Sequence, residues 1–416
     1  MPGTQDTQRR WRLLPVLAVI GPGIIAASAG NDSGGISTYS VAGARYGYTM
    51  LWMMLAMTPS FIIVQEMAGR MGAATGKGFA ALIRERFGVR PTTLAMLMLL
   101  VSNAATTIAE FAGIAAAMEL FGVTRYVSVP IAAVVVWLLV VRGSYRNIEK
   151  VFLALSSVFI AYVIAAFLAG PDWAEVGRGF VTPRVVPDRA FVALAIGLTG
   201  TTIAPWMQFL LQSNIVDKGT SVKEWAIARW DVMIGAAAAN VIACFIIITT
   251  ATVLHPAGIM IEGAEDAAAA LAPLAGPYAE ILFSIGLLSA SLLAAAVLPL
   301  TAAYAICEAF GWEAGLDRSW SEAPMFNGLY TFVILTSAAV ILLPGVDLIA
   351  VMLLSQVING VLLPFLLVFM MVIINDRRIM GRHVNGRVHN VLSWTTITVV
   401  IALTAVLMVM TFLGIG

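Results

Sequence analysis

The sequence predicts an all-α membrane protein built from two inverted five-helix repeats and an eleventh helix. The first observation is composition: 60% of the 416 residues are hydrophobic and 11% are charged, with a mean hydropathy of +0.92, as in integral membrane proteins. The second is that apolar stretches of membrane-spanning length recur along the whole chain. The third is that the first and sixth stretches are interrupted at their centres, and spans five apart run in opposite directions.

The apolar stretches define eleven predicted spans in a single transmembrane domain over residues 1–416. A helix needs about 20 apolar residues to cross the hydrocarbon core. The spans cover approximately 13–42, 47–69, 93–121, 126–142, 150–170, 189–214, 226–254, 277–308, 324–344, 347–375 and 391–414. The first repeat therefore covers about 13–170, the second about 189–375, and the extra helix about 391–414.

The charges of the short loops predict the orientation. Lysine and arginine recur at the N-terminus and in the loops after spans 2, 4, 6 and 10, which the positive-inside rule places in the cytoplasm. An odd number of spans then puts the C-terminus outside, so we predict a multi-pass protein of the plasma membrane. The basic residues are Arg9, Arg10, Arg12, Lys77, Arg84, Arg86, Arg90, Arg142, Arg146, Lys150, Lys218, Lys223, Arg377, Arg378, Arg382 and Arg387.

Several classes of function are disfavoured. The net charge of +1 gives no basis for binding nucleic acid. The segment Gly72–Lys77 resembles a phosphate-binding loop but has the wrong spacing, and other enzyme motifs are missing. We therefore predict no enzyme activity, no cofactor and no obligate protein partner. All three histidines, His255, His383 and His389, are predicted in loops, which leaves no imidazole within a span to carry protons.

The interruption of the first span predicts an ion site. Asp32 lies at mid-membrane depth, where a carboxylate costs several kcal/mol unless it is paired, hydrated or bound to a cation. The neighbouring Ser33, Gly34 and Gly35 are poor helix formers. Irregular backbone at that depth is tolerated only where it is buried in protein or lines a cavity.

The sixth span is interrupted at Gly200–Pro205. Pro205 removes a backbone donor and clashes with the preceding turn. Two broken helices in corresponding positions of two repeats predict a binding site where they meet. The alternative is a pair of ordinary proline or glycine kinks, and the depth of Asp32 favours the broken helices.

Glu110 is the other acidic residue near the centre of a span, and its role is open. It is either an anion behind the ion ligands, or part of a path to the cytoplasm, or a neutral or paired packing residue. Glu66 lies four residues before Arg70, a spacing that suits a local ion pair with a structural role.

Amide side chains provide further candidate ligands. Gln356 and Asn359 share one face of the tenth span, where they either bind an ion or hydrogen-bond to a neighbouring helix. Gln208 lies one turn beyond Ala204, where its amide oxygen can hold an ion or an ion-bound water. Asn240 is interpreted as a hydrogen-bonding residue between helices.

Motifs in four regions of the chain resemble those of the NRAMP divalent-metal transporters, and the resemblance covers nearly the whole chain. The resemblance implies the LeuT-type fold, in which helices 1 and 6 are broken. The segments are Gly21–Ile24 with Gly30–Gly35 and Ala42–Tyr48 in the first span, Ala73–Lys77 after the second, Thr107–Gly113 in the third and Ser355–Phe365 in the tenth.

The departures from the NRAMP pattern concern the metal ligands and the proton path. Gly35 stands where the family usually has asparagine, and Ala204 where it has methionine. The sixth-span histidines associated with proton passage fall on Trp206 and Leu211, and the third-span aspartate falls on Thr107. This pattern resembles the NRAMP-related magnesium transporter branch.

The predicted metal site contains oxygen ligands and no sulfur. Loss of the thioether leaves carboxylate, amide, carbonyl and water oxygens, which suit Mg²⁺ or Mn²⁺. We expect direct contact from the Asp32 carboxylate and from the backbone carbonyls of Ala29 and Thr201. The amides of Gln208 or Gln356 are expected to contact the ion through water. Gly35 and Ala204, being small, are expected to leave room for a partly hydrated ion. The site residues are Asp32, Ala29, Thr201, Ala204, Gln208, Gln356 and Gly35.

The membrane potential is a sufficient energy source for this ion. A divalent cation gains about 4.6 kcal/mol per 100 mV, roughly three decades of gradient. We therefore predict uncoupled import of Mg²⁺, and also Mn²⁺, by alternating access. The expected partners are the transported metal ion and the lipid bilayer. The alternatives are a proton-coupled Mn²⁺/Fe²⁺ importer, a sodium–amino-acid symporter of the same fold, and a non-transporting membrane receptor or scaffold.

Overall fold

The computed structural model describes residues 32–141, 158, 160–315 and 318–413. These residues form helices joined by loops and turns, with no strand among them. Eight helical stretches of the described residues are long and apolar enough to cross a membrane, and two shorter apolar helices accompany them. The all-α class is thus confirmed, while the first half of span 1 and much of span 5 lie outside the described residues.

The helices agree with the predicted spans to within one or two turns. A short 3-10 helix, Gly47–Met50, joins the first two. In chain order they are α1 Ser33–Tyr46, α2 Leu51–Thr75, α3 Phe79–Phe87, α4 Val89–Leu120, α5 Arg125–Val141, α6 Ile160–Ala169, α7 Trp173–Val181, α8 Arg189–Thr202, α9 Pro205–Asp217, α10 Val222–Val253, α11 Ala264–Ala269, α12 Ala272–Ala275, α13 Ala279–Phe310, α14 Pro324–Ile341, α15 Leu348–Ile374, α16 Arg377–Met380 and α17 Arg387–Leu413.

Local sequence signals set many of the helix ends. Ser221 and Glu224 form a capping box that satisfies free backbone donors at the start of α10. Aspartates cap α8 and α15 in the same way, through Asp188 and Asp347. Gly76 ends α2 with a positive φ of 64°, a backbone conformation that favours glycine.

The helix α4 lies at the centre of the molecule, where it packs most extensively against α13 and α15. Around it, α1 packs against α10 and α8 against α15. Glycines allow the closest of these contacts, because a Cβ on Gly200 would overlap the backbone of Gln356 and Gly360. The last helix, α17, is largely exposed, as expected for a helix outside the repeats. Only 11% of the residues in its apolar 18-residue stretch are buried.

Two predicted polar contacts between and within helices are confirmed. Glu66 and Arg70 form an ion pair, with 3.2 Å between Oε2 and the guanidinium. Asn240 donates to the carbonyl of Met54 at 3.0 Å and to the hydroxyl of Thr58, which joins α10 to α2.

The prediction that every histidine lies in a loop is wrong for His389. This residue lies in the first turn of α17, with its Nε2 3.6 Å from Glu66 Oε2. The helix starts four residues before the apolar stretch, because a first turn at a membrane surface does not need apolar side chains. His389 is therefore at the end of a span, away from the centre of the bundle.

Candidate functional site

Asp32 lies at the start of α1, where it acts as the N-cap. Its Oδ1 accepts a hydrogen bond from Gly35 N at 2.6 Å, and its carbonyl accepts from Ile36 N at 2.9 Å. Such a cap satisfies backbone donors that a helix start leaves free. Oδ1 therefore accepts the capping hydrogen bond, and Oδ2 forms no hydrogen bond with the described residues.

Asp32 lies in a buried environment. The residue is 2% exposed, so it does not face lipid. Within the described part of the chain no basic side chain forms an ion pair with it. A buried carboxylate without a positive partner is costly, and a bound cation removes that cost.

The second break leaves a backbone carbonyl without its helical donor. The helix α8 ends at Thr202, and α9 begins at Pro205 after an extended Ala204. The carbonyl of Thr201 would bond to the amide of residue 205, and proline has none. Thr201 is 1% exposed, so water of the bulk solvent does not reach this carbonyl. The Thr201 carbonyl is therefore available to a ligand at the break.

Gln356 of α15 lies between the two broken helices. A Cβ on Gly34 of α1 would overlap the amide of Gln356, and a Cβ on Gly197 of α8 would touch its side chain. The hydroxyl of Tyr39 lies 3.4 Å from Thr202 Oγ1 and joins α1 to α8 directly. The structure thus brings the helices that carry Asp32, Thr201 and Gln356 together at one point.

The amide of Gln356 belongs to a polar network with α4. Its Oε1 accepts from Asn359 Nδ2 at 3.1 Å, and its Nε2 donates to Ser355 Oγ at 3.3 Å. Asn359 in turn bonds to Ser102 at 2.6 Å and to Thr106 at 2.9 Å. Asn359 therefore hydrogen-bonds between helices, which was the alternative interpretation, while Gln356 borders the site with an oxygen already shared.

Ala204 and Gln208 lie at the start of α9, and both are buried. The carbonyl of Ala204 accepts from Met207 N at 3.1 Å. In the orientation that satisfies its hydrogen bonds, the amide nitrogen of Gln208 faces the preceding turn of α9. It then donates to the carbonyls of Ala204 at 2.8 Å and Pro205 at 2.6 Å. The carbonyl of Ala204 is thus occupied, and the oxygen that this turn can offer is Oε1 of Gln208.

Of the other two predicted site residues, Gly35 lies among the described residues and Ala29 does not. Gly35 uses its amide for the Asp32 cap and has no side chain to offer. Ala29 lies outside the described residues, so its predicted carbonyl contact stays a prediction. No group of three His, Cys, Asp or Glu side chains suited to a metal occurs among the described residues. The helices that meet here thus carry one candidate carboxylate together with carbonyl, amide and hydroxyl oxygens, the donor types that hard divalent cations accept.

Glu110 lies directly behind the first break. Its Oε2 accepts from Ser33 N at 3.3 Å and from Ser33 Oγ at 2.9 Å, and both residues are fully buried. Ser33 Oγ also lies 2.9 Å from the carbonyl of Ala109. Gly113, one turn along α4, leaves the space that Ser33 occupies, because a Cβ there would overlap it. This position favours the interpretation of Glu110 as a carboxyl group behind the ion ligands.

Sequence reasoning missed the roles of Ser33 and Tyr39. Ser33 was noted as a poor helix former, whereas it donates to Glu110, which is 77 residues away in the chain. Tyr39 follows Asp32 by seven residues, a spacing that puts both on one helical face and that was available as a signal.

The chain matches the model of the family described as natural resistance-associated macrophage protein-like, Nramp, over residues 23–410. The chain belongs to the Nramp family. A divalent metal cation transporter, MntH, of Deinococcus radiodurans is 31% identical to this Nramp-family chain over 421 residues, which cover 98% of the chain and 92% of the relative. The resemblance found in the sequence is confirmed at the level of the family.

Solved structures confirm the LeuT-type fold of this Nramp-family protein. The crystal structure of the Eremococcus coleocola manganese transporter matches with a TM-score of 0.75 at 22% identity, covering 99% of this chain and 88% of the other. MhsT in complex with L-phenylalanine matches with a TM-score of 0.58 at 17% identity, covering 95% and 98%. At these identities the likeness establishes the fold alone. The protein is a multi-pass membrane protein of that fold.

Proposed function

We propose that this protein is a secondary transporter that imports divalent metal cations across the plasma membrane. The observation that carries the proposal is Asp32, a buried carboxylate at a helix break with no basic partner among the described residues. The free carbonyl of Thr201 at the opposite break supports it. The Deinococcus relative is named a divalent metal cation transporter, and the Eremococcus neighbour a manganese transporter.

Within this function we infer that the transported ion is Mg²⁺, and also Mn²⁺, in a partly hydrated form, as in the magnesium branch that the sequence resembles. Support comes from the donor set, which offers oxygen from Asp32, Thr201 and Gln208. Mg²⁺ prefers oxygen ligands and usually keeps several waters. Gly35 and Ala204 are small residues at the two breaks, as a site for a partly hydrated ion requires.

We further infer that import is uncoupled from protons and driven by the membrane potential, which supplies about 4.6 kcal/mol per 100 mV to a divalent cation. Support comes from the positions of the histidines, since His255, His383 and His389 all lie outside the centres of the described spans. The inferred orientation places the N-terminus in the cytoplasm and the C-terminus outside, with one domain made of two repeats and an extra helix.

A proton-coupled Mn²⁺/Fe²⁺ importer is the second candidate, and specific observations favour it. The names of the relatives agree with it. The thioether of Met352 lies one turn before Gln356 on α15 and accepts a hydrogen bond from Ser37 at 3.3 Å, so a soft ligand is near the break. Glu110 supplies a second buried carboxyl group beside Ser33.

Uptake into proteoliposomes under an imposed inside-negative potential tests the proposal. Asp32→Asn removes the charge and retains an N-cap oxygen, since asparagine caps helices as well as aspartate does. We expect uptake of Mg²⁺ and Mn²⁺ to fall by at least about tenfold, because the site loses its only carboxylate ligand. Asp347→Asn, the same change at the exposed N-cap of α15, is the control and leaves uptake unchanged.

Three outcomes would count against the proposal. Undiminished uptake by Asp32→Asn would show that the buried carboxylate is not an ion ligand. A Mg²⁺-dependent pH change inside the vesicles would remove the uncoupled mechanism and favour the proton-coupled candidate. Tight Cd²⁺ binding in a calorimetric titration would likewise indicate a soft site.

A further inference from the structure

Tyr39 lies on the same face of α1 as Asp32, two turns further along. It is 2% exposed, although it carries a hydroxyl group. Helical side chains lean toward the N-terminal end of their helix, so the phenol extends back toward Asp32. Its hydroxyl lies 3.4 Å from Thr202 Oγ1, in the last turn of α8. The Tyr39 hydroxyl is therefore at the level of both helix breaks.

Thr201 adds a hydroxyl group beside this contact. Its Oγ1 is buried and forms no hydrogen bond with the described residues. The Tyr39 hydroxyl is also near the side chain of Thr201. An unsatisfied buried polar atom requires an explanation, and an ordered water is a common one. The hydroxyls of Tyr39, Thr201 and Thr202 thus form a cluster, called the hydroxyl cluster below, with unused hydrogen-bonding capacity beside the ion site.

We propose that the hydroxyl cluster hydrogen-bonds to water molecules that the ion at Asp32 retains, which makes Tyr39 a specificity-determining residue for hydrated ions. This inference rests on the proposed function. Groups that hold the bound waters of a metal tune its affinity without contacting the metal. Mg²⁺ gives up its waters reluctantly, so it depends on such contacts more than Mn²⁺ does.

Transport kinetics of Tyr39→Phe in proteoliposomes test the inference. The variant keeps the buried ring and removes the hydroxyl. We expect the apparent KM for Mg²⁺ to rise about threefold to tenfold, the effect of one lost hydrogen bond. The KM for Mn²⁺ should rise less, and the maximal rate should stay unchanged. Tyr330→Phe is the matched control, because that hydroxyl is also buried but donates to the carbonyl of Val136, away from the breaks.

A double-mutant cycle separates the hydroxyl cluster from simple packing. Thr202→Val removes the partner hydroxyl, and its effect on the Mg²⁺ KM should not add to that of Tyr39→Phe, since both act on the same waters. If Tyr39→Phe fails to fold, as judged by thermal unfolding in detergent, Thr202→Val alone decides the question by the same KM criterion.

The outcomes distinguish the two levels of the proposal. Equal shifts for both ions, or no shift with either variant, overturn the role of the hydroxyl cluster while wild-type transport and the Asp32→Asn effect leave the transporter standing. Absence of metal uptake by the wild type overturns the proposed function itself and this inference with it.

Discussion

At the scale of single residues, the first helix break is held by Ser33 and Glu110. Both donors of Ser33 reach Oε2 of Glu110, at 3.3 Å from N and 2.9 Å from Oγ. Proline at this position would offer neither donor. The hydrogen bonds from Ser33 thus fix the start of α1 against the carboxyl group of Glu110.

Ser33→Pro should destabilise the protein although proline suits the first turn of a helix. The change leaves Glu110 buried without either donor, which costs about 1–3 kcal/mol for each unsatisfied group. Ser33→Ala keeps the backbone donor and should cost less. Thermal unfolding in detergent measures both, with Ser289→Ala as the control, since Ser289 Oγ bonds only to carbonyls of its own helix. A Ser33→Pro protein as stable as the wild type would contradict this role.

The sequence indicated candidate residues for the site but not their contacts. Asp32 and Thr201 could be named as candidates because a charge at membrane depth and a carbonyl four residues before a proline are local facts. The pairing of Ser33 with Glu110 and of Tyr39 with Thr202 could not, since the partners are 77 and 163 residues apart. The network that occupies the oxygen of Gln356 has the same long-range origin.

At the scale of helices, the second break depends on one missing amide. Pro205 begins α9 and cannot donate to Thr201, so α8 ends and its last carbonyls are free. In the proposed site the backbone itself would serve as a ligand, without any special side chain. A ligand from the backbone would explain why residues without a charged side chain, from Thr201 to Ala204, occur at the proposed ion site.

Pro205→Ala should weaken metal binding and leave the fold intact. Alanine restores an amide that can bond to the Thr201 carbonyl and join α8 to α9. We expect the Kd for Mg²⁺ or Mn²⁺ to rise by about tenfold, equivalent to about 1.4 kcal/mol, in a calorimetric titration. Pro324→Ala, at the first turn of α14 where the helix is unbroken, should not change it. Equal Kd values for wild type and Pro205→Ala would show that this carbonyl is not a ligand.

Hydropathy predicted the long helices and missed the short ones. Spans are readable because apolar length is a direct requirement of the bilayer. The helices α3, α7, α11, α12 and α16 follow no such requirement, because they lie in the connecting segments between spans. The early start of α17, which includes His389, was missed for the same reason.

At the scale of the whole molecule, the two broken helices are also joined at the far end of α1. The hydroxyl of Tyr46 donates to Asp188 Oδ2 at 2.5 Å, and Arg45 lies 3.7 Å from the same oxygen. Asp188 caps α8 at the same time. With the Tyr39–Thr202 contact, α1 and α8 are linked at two levels.

Asp188 determines how this link depends on pH. The hydrogen bond from Tyr46 and then the cap at Ala190 hold the pKa of Asp188 below its ordinary value of 3.8. A lowered pKa stabilises the folded state above that value, and the stabilisation is lost as pH falls below it. We therefore expect the difference in thermal stability between wild type and Asp188→Asn to be constant from pH 5 to 8 and to shrink below about pH 4. A difference that changes near neutral pH would contradict this assignment.

The lone negative charge at Asp32 has a consequence for the electrical behaviour of the proposed carrier. Counting this side chain alone, the site carries one net positive charge when a divalent ion occupies it and one net negative charge after release. An inside-negative voltage then favours inward movement of the loaded form and also favours the return of the empty form. The electrical work would be divided between the two halves of the cycle, and steady-state currents and pre-steady-state charge displacements should both depend on voltage.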